Sequence, residues 1–247
     1  MTKLTIGIPL YPGVDLLDVV GPHEVFSWMR MTWPGNEVAV RLLAETLDPV
    51  TTMNGARVLP DAPFRDASGD WVKLDVLFVP GAGDDKIRNA PPALLDFVRA
   101  QADATWVCSV CTGALILAEA GLLDGYRATT HWTSLDWLRT YRNVRVAEGY
   151  PRYVLDGNRV TGGGISSGLD ESLALVALVT GDPNVARKTQ LAIQYHPQPD
   201  FDCGDPGVAD AFVLDVMQKA FSSSSAEAPR GAAKLALTAP PPAASGA

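Results

Sequence analysis

The chain is poor in the residues that staple small folds, cage metals or grip nucleic acid. It carries three cysteines and three histidines among 247 residues. An odd cysteine count, behind an opening MTKLTIGIPLYPG that holds no long apolar leader, points away from a secreted disulfide framework and toward a reducing cytoplasm. Cys203, His23, His131 and His196 are scattered singly without ligand spacing, so no metal site is expected. Basic runs are lacking too: 20 Lys plus Arg stand against 28 Asp plus Glu, a formal charge of −8. That leaves no positive track for a phosphate backbone, and nucleic acid is not an expected partner. The longest apolar run, residues 173–179, is far short of the roughly 20 residues that cross a bilayer, so no membrane partner is expected either. What is present is the balance of a compact domain: 47% hydrophobic and 19% charged. A chain of this length buries roughly 70–75% of its unfolded surface.

Residues 3–10 read as a buried strand closed by the turn Tyr11-Pro12-Gly13. Leu17, Val20, Val25, Phe26 and Met29 then recur at helix spacing, with Gly21-Pro22 interrupting them and starting a fresh helix. Further strands are expected at 38–43, 74–79, 105–110, 127–130 and 144–147, and helices at 91–103, 114–120, 134–140, 169–180, 183–194 and 208–221. Two hairpins, 50–53 with 57–59 around Asn54-Gly55 and 153–155 with 159–161 around Asp156-Gly157-Asn158, should decorate the sheet edge. Strand and helix alternating this often imply an α/β fold, a mostly parallel sheet covered on both faces. Beyond Phe221 the composition turns to Ser, Ala and Pro. Residues 222–247 therefore read as a low-complexity, disordered tail, and 1–221 as the folded domain.

The sharpest local feature is Ser109-Val110-Cys111-Thr112-Gly113, a thiol between an apolar strand and a helix with small residues two places to either side. A strand that reverses into a helix within one residue needs such small neighbours, which is the logic of the nucleophile elbow. A helix N-terminus beneath the sulfur should favour thiolate and lower the thiol pKa. The plainer reading is one more buried cysteine, packed as a small hydrophobe. Cys108 and Cys111 also spell C-x-x-C, yet residues three apart on a strand lie about 10 Å apart on opposite faces, beyond the roughly 7 Å Cα limit of a disulfide. Cys108 should be core.

Parallel sheets build sites where the carboxyl ends of neighbouring strands meet. Four segments qualify: Asp18, the Gly81-Ala82-Gly83 loop, Cys111-Thr112, and His131. Asp18 is flanked by Leu16-Leu17 and Val19-Val20; a buried carboxyl there would hold a proton to pass on, although a helix-start carboxylate is the ordinary role. His131 competes as a base for the thiol, and alone it also reads as a strand-end hydrogen-bonding residue. The amides of Ala82 and Thr112 offer an oxyanion hole. Gly162 to Gly168 match neither nucleotide-binding glycine pattern, and read instead as a close backbone approach into the same pocket.

Taken together, Leu17-Asp18-x-x-Gly21-Pro22-x-Glu24, Pro80-Gly81-Ala82-Gly83, Val110-Cys111-Thr112-Gly113-Ala114, Ala128-Thr129-Thr130-His131-Trp132 and Thr161-Gly162-Gly163-Gly164-Ile165 resemble the ThiJ/PfpI superfamily, related to class I glutamine amidotransferases. The resemblance covers about residues 3–221. Within it, Asp18, Thr112 and Tyr195-x-Pro197-x-Pro199-x-Phe201 followed by Gly204-x-Pro206 look most like the isocyanide hydratases. That implies a flavodoxin-like three-layer sandwich working as a homodimer, which adds water to an organic isocyanide and gives an N-formamide without metal or organic cofactor. Cys111 would attack the isocyanide carbon to form a thioimidate, Asp18 would move the proton, and Thr112 with the Ala82 amide would fix polar groups around the intermediate. Gly81, Ala82, His131, Gly163 and Ile165 would bind the substrate. The loop reads Pro-Gly-Ala-Gly where the family commonly has Pro-Gly-Gly, so the Cβ of Ala82 narrows the pocket.

Two alternatives stand beside this reading, the second of a different class. Another cysteine-dependent activity of the superfamily, such as aldehyde hydration, amide hydrolysis or redox sensing, fits the same thiol; peptidase-like members would place His where Thr112 stands. A ligand-sensing regulator domain needs a helix-turn-helix module of roughly three helices, and only the low-complexity tail is left to supply one.

Overall fold

The structure is a computed structural model that describes residues 2–224. In chain order its elements begin with β1 (Lys3–Pro9), α1 (Leu16–Thr32), β2 (Glu37–Ala44), β3 (Val50–Thr51), β4 (Arg57–Val58), β5 (Ala62–Pro63) and β6 (Val76–Val79). There follow α2 (Asp84–Arg88), α3 (Pro92–Arg99), β7 (Trp106–Ser109), α4 (Gly113–Glu119), β8 (Arg127–Ala128), α5 (Leu135–Arg139) and β9 (Arg145–Val146). The last are β10 (Tyr153–Asp156), β11 (Arg159–Gly162), α6 (Ser167–Thr180), α7 (Pro183–Ala192) and α8 (Ala211–Ser224).

Seven strands form the central sheet in the order β10-β11-β7-β6-β1-β2-β5. Every neighbouring pair is parallel except β10–β11. Helices α1, α6 and α7 pack on one another, while α4 packs with α2, α3 and α5, so the sheet is flanked by helices as the α/β reading requires. Alternation along the strands fills both sides. Phe78 of β6 meets Phe26 of α1 with ring centroids 5.7 Å apart, and Phe97 of α3 stacks on Phe64 at 4.4 Å. Each such ring contributes roughly 1.5–3 kcal/mol by leaving water.

Five local expectations change. Helix α1 is unbroken through Pro22, because the ring packs on the neighbouring helix: a Cβ on Gly168 would touch Pro22 Cγ at 3.4 Å. Lacking an N–H, Pro22 leaves the Asp18 carbonyl without its helical donor. The β3–β4 hairpin forms a two-stranded sheet of its own instead of an edge of the main one, and β8–β9 is a second separate pair. Strand β5, two residues with a proline and no periodicity, extends the sheet where no strand was expected. Helix α8 runs to Ser224, three residues into the expected tail; residues 225–247 lie outside the described part. Among the described residues no helix is long and apolar enough to cross a membrane.

Candidate active site

The site is built where β1, β6, β7 and β11 end. After β1, Asp15 caps α1 by accepting from the Leu17 and Asp18 amides at 3.0 and 3.4 Å, which sets Asp18 in the first helical turn, fully buried. Asp18 Oδ2 accepts from the Gly81 amide at 2.8 Å, while Oδ1 has no partner. The Pro80–Gly83 loop that supplies this amide is held at its first two residues. Tyr11 donates its hydroxyl to the Pro80 carbonyl at 2.7 Å, and the Asp15 amide donates to the Gly81 carbonyl at 2.8 Å.

Cys111 follows β7 with φ +56°, the left-handed conformation that a one-residue reversal imposes and that costs a non-glycine residue roughly 1–3 kcal/mol. Its amide donates to the Gly163 carbonyl at 2.9 Å and its carbonyl accepts from Thr130 Oγ1 at 2.8 Å, bonds that hold the bend. Gly113 begins α4 so close to β6 that a Cβ there would lie 2.2 Å from the Val79 carbonyl oxygen. The small residue after the cysteine thus serves the neighbouring strand as well as the turn. Cys108 is fully buried.

Burial pushes the Cys111 thiol well above its ordinary pKa, and the charge of Asp18 pushes it further; the amides of Thr112 and Ile165 facing the sulfur act the other way. The expected lowering by the helix terminus is therefore reversed. Two amides do not offset the loss of water at a residue 7% exposed with a carboxyl at its side. Asp18 is raised in turn, by burial first and by Asp15 second, against the Gly81 amide and the Cys111 thiol. Both groups are held toward their neutral, protonated forms.

The other expected residues separate. Thr112 Oγ1 accepts from the Ala82 amide at 2.8 Å and donates to the Ala82 carbonyl at 2.7 Å. The Ala82 amide is thus engaged and does not face the reacting atom as expected, and the amides turned to the sulfur are those of Thr112 and Ile165. Gly81 is obligatory: a Cβ would stand 2.6 Å from Thr112 Oγ1 and 2.9 Å from Asp18 Oδ2. Thr130, His131, Gly163 and Ile165 line a cavity of about 360 Å³, together with Trp132 and Tyr150. Gly204, Asp205 and Pro206 of the segment before α8 close another side. His131 does not pair with the thiol. Its Nδ1 meets Thr133 Oγ1 at 2.7 Å, and burial alone lowers its pKa to about 4, leaving a neutral ring packed against Trp132 and Phe221, which also touch each other.

Tyr11 and Glu171 escaped the sequence reading. Tyr11 sits inside a turn signature that says nothing of a hydroxyl. Glu171 had a signal: Glu171, Ser172, Leu175 and Val176 form one buried stripe on α6, and projecting that stripe places an acid on the core face.

The sequence pattern of the DJ-1/PfpI family matches residues 5–178. The chain is 40% identical over 217 residues to an isonitrile hydratase of Pseudomonas putida, covering 87% of this chain and 89% of that protein. A crystal structure of a ThiJ/PfpI family protein from Pseudomonas syringae superposes with TM-score 0.79 at 35% identity, over 90% of this chain and 88% of that one. The HTH-type transcriptional regulator CdhR of Pseudomonas aeruginosa is 34% identical over 152 residues, 61% of this chain and 41% of the regulator.

Proposed function

Because the chain belongs to the DJ-1/PfpI family, with the buried thiol and carboxyl set side by side, we propose that it hydrates an organic isocyanide to the N-substituted formamide through a thioimidate on Cys111. The observation that carries the reading is the Asp18–Cys111 pair, two neighbouring buried groups whose pKa values burial raises; the 40% identity to an isonitrile hydratase supports the substrate. The terminal carbon of an isocyanide must gain a bond to a nucleophile and one to hydrogen. A neutral acid beside the sulfur has that hydrogen ready, which a histidine with pKa about 4 does not.

In the first step sulfur bonds to the isocyanide carbon, Asp18 delivers its proton to that carbon, and the thiol proton passes to Asp18. The product is S–CH=N–R. Water then adds to the same carbon, with Asp18 taking a proton from the oxygen and giving one to nitrogen. The C–S bond breaks, sulfur regains its proton, and R–NH–CHO leaves. The Thr112 and Ile165 amides stabilise charge building on sulfur as it attacks and departs. The cavity is lined by Trp132, Tyr150 and Ile165 but not by Cys111 or Asp18 themselves; beside the thiol, which the Ile165 amide faces, it suits an apolar substituent.

Two further features belong to the same reading. Leu17 and Val20, 42% and 41% exposed one turn apart on α1, suit burial against a second copy, which supports a homodimer as the working form. Three free thiols suit the reducing cytoplasm.

The test is direct. Purified protein given an aliphatic isocyanide should consume it and release the formamide; Cys111→Ala should abolish turnover and Cys108→Ala should retain most of it. Undiminished activity in Cys111→Ala removes the mechanism. Absence of turnover by the unaltered protein moves the assignment to another thiol-dependent reaction.

A further inference from the structure

Glu171 is a fully buried acid that the steps above leave unused. Neither of its carboxyl oxygens has a hydrogen-bond partner. The head group lies against the end of β11, where a Cβ on Gly162 would stand 2.3 Å from Oε2. One helical turn earlier on α6, Ser167 is also fully buried with its hydroxyl unpartnered, and helical side chains lean back over the preceding turn, so Glu171 reaches toward it. Helix α1 runs alongside. Gly21 packs on Leu169 and Pro22 on Gly168, and Asp18, one turn before them, carries the third orphaned site, Oδ1.

Buried polar atoms in folded proteins are nearly always paired, with protein or with ordered water. An internal water is stable where about two to four polar atoms converge on it. We propose that Asp18 Oδ1, Ser167 Oγ and the Glu171 carboxyl bind an internal water, and that through it Glu171 acts as a positioning residue for Asp18. Glu171 stays protonated and donates to the water; the water donates to Oδ1 whenever Asp18 has given its proton away. No proton changes owner in this arrangement. Its effect is to steady the ionised carboxyl from the side opposite the Gly81 amide. Burial raises the Glu171 pKa and the charge of Asp18 raises it further, which holds Glu171 toward its protonated form whenever Asp18 is ionised. The other groups that act here are Arg152 and Asp170, and Cys108 of β7 feels Glu171 in turn.

This deepens the hydratase reading and rests on it for its kinetic arm alone. Glu171→Gln keeps a neutral donor and should retain near-normal kcat. Glu171→Leu removes the donor, and kcat should fall by about tenfold or more with KM little changed, as for a lost hydrogen bond to a charged group. The limb of the pH–rate profile governed by Asp18 should move to higher pH. In the resting protein, infrared difference spectra against Asp18→Asn identify the Asp18 carboxyl stretch. That band should shift in Glu171→Leu and in Ser167→Ala, and stay in place in Glu171→Gln. An unmoved band in both Leu and Ala variants overturns the shared water, whether or not any isocyanide is turned over. Equal kcat and pH profiles for Glu171→Leu and the unaltered enzyme overturn the positioning role. If Glu171→Leu does not fold, Ser167→Ala reads both quantities in its place.

Discussion

The hydroxyl of Thr112 is closed on one residue, receiving the Ala82 amide at 2.8 Å and donating to the Ala82 carbonyl at 2.7 Å. Both Thr112 and Ala82 are buried, so this pair of bonds fixes the loop that carries the Gly81 amide to Asp18. Thr112→Val keeps the shape and leaves an amide and a carbonyl unpaired. Unfolding by urea should show a loss of about 2–3 kcal/mol. Thr112→Ser, which keeps the hydroxyl, should lose less than half as much. A valine variant as stable as the unaltered protein would mean that the loop is held from elsewhere.

The glycines of the site differ in what an added methyl meets. On Gly113 it meets backbone, the Val79 oxygen at 2.2 Å; on Gly81 it meets the Thr112 amide at 2.7 Å; on Gly204 it meets nothing within 4 Å. Backbone at those distances cannot step aside as a flexible side chain can. Gly113→Ala and Gly81→Ala should therefore lower the melting temperature by about 4 °C or more, the shift expected for a severe core clash in a domain of this size. Gly204→Ala should leave it unchanged.

The fold was legible wherever period and punctuation agreed. Residues 105–113 announced both strand and bend, and the bend appears as the positive φ of Cys111. Asp18 stood out because four apolar neighbours surround it. The misses have physical causes. Pro22 does not break α1 because tertiary packing on Gly168 compensates for a lost bond. Ala82 carries no mark in the sequence that its amide is already taken by Thr112, since that bond joins residues thirty positions apart. The raised thiol followed from burial, a property of the whole assembly that the helix-terminus argument leaves out.

The free thiols should rank by access and by charge. Cys203 is exposed, whereas Cys111 and Cys108 are buried. Alkylation by iodoacetamide at neutral pH, followed by peptide mass spectrometry, should label Cys203 first, Cys111 slowly and Cys108 only on unfolding. Asp18→Asn removes the carboxyl whose ionised form raises Cys111, and labelling of Cys111 at a pH where Asp18 has ionised should then quicken. A slower rate in that variant would mean that Asp18 acts mainly as the proton acceptor of the thiol.

Stability against pH should carry two opposed slopes. Glu171 and Asp18 have folded pKa values above their ordinary 4.5 and 3.8, so the folded protein binds more protons than the unfolded chain once pH passes those values. Their contribution is complete at lower pH and is lost as pH rises toward the folded values. His131 works the other way. Its pKa falls from 6.5 to about 4, so its contribution is complete above 6.5 and is lost as pH falls toward 4, about 3 kcal/mol in all. The two windows overlap between about 4.5 and 6.5, so denaturant unfolding measured from pH 4 to 8 separates them by variant. His131→Phe, which preserves ring packing against Trp132 and Phe221, should remove the component that rises with pH up to 6.5. Glu171→Gln, neutral at every pH, should make the net descent with rising pH shallower. If Glu171→Gln instead steepened that descent, Glu171 would be ionised in the folded protein, and its assignment as a buried neutral donor would be wrong.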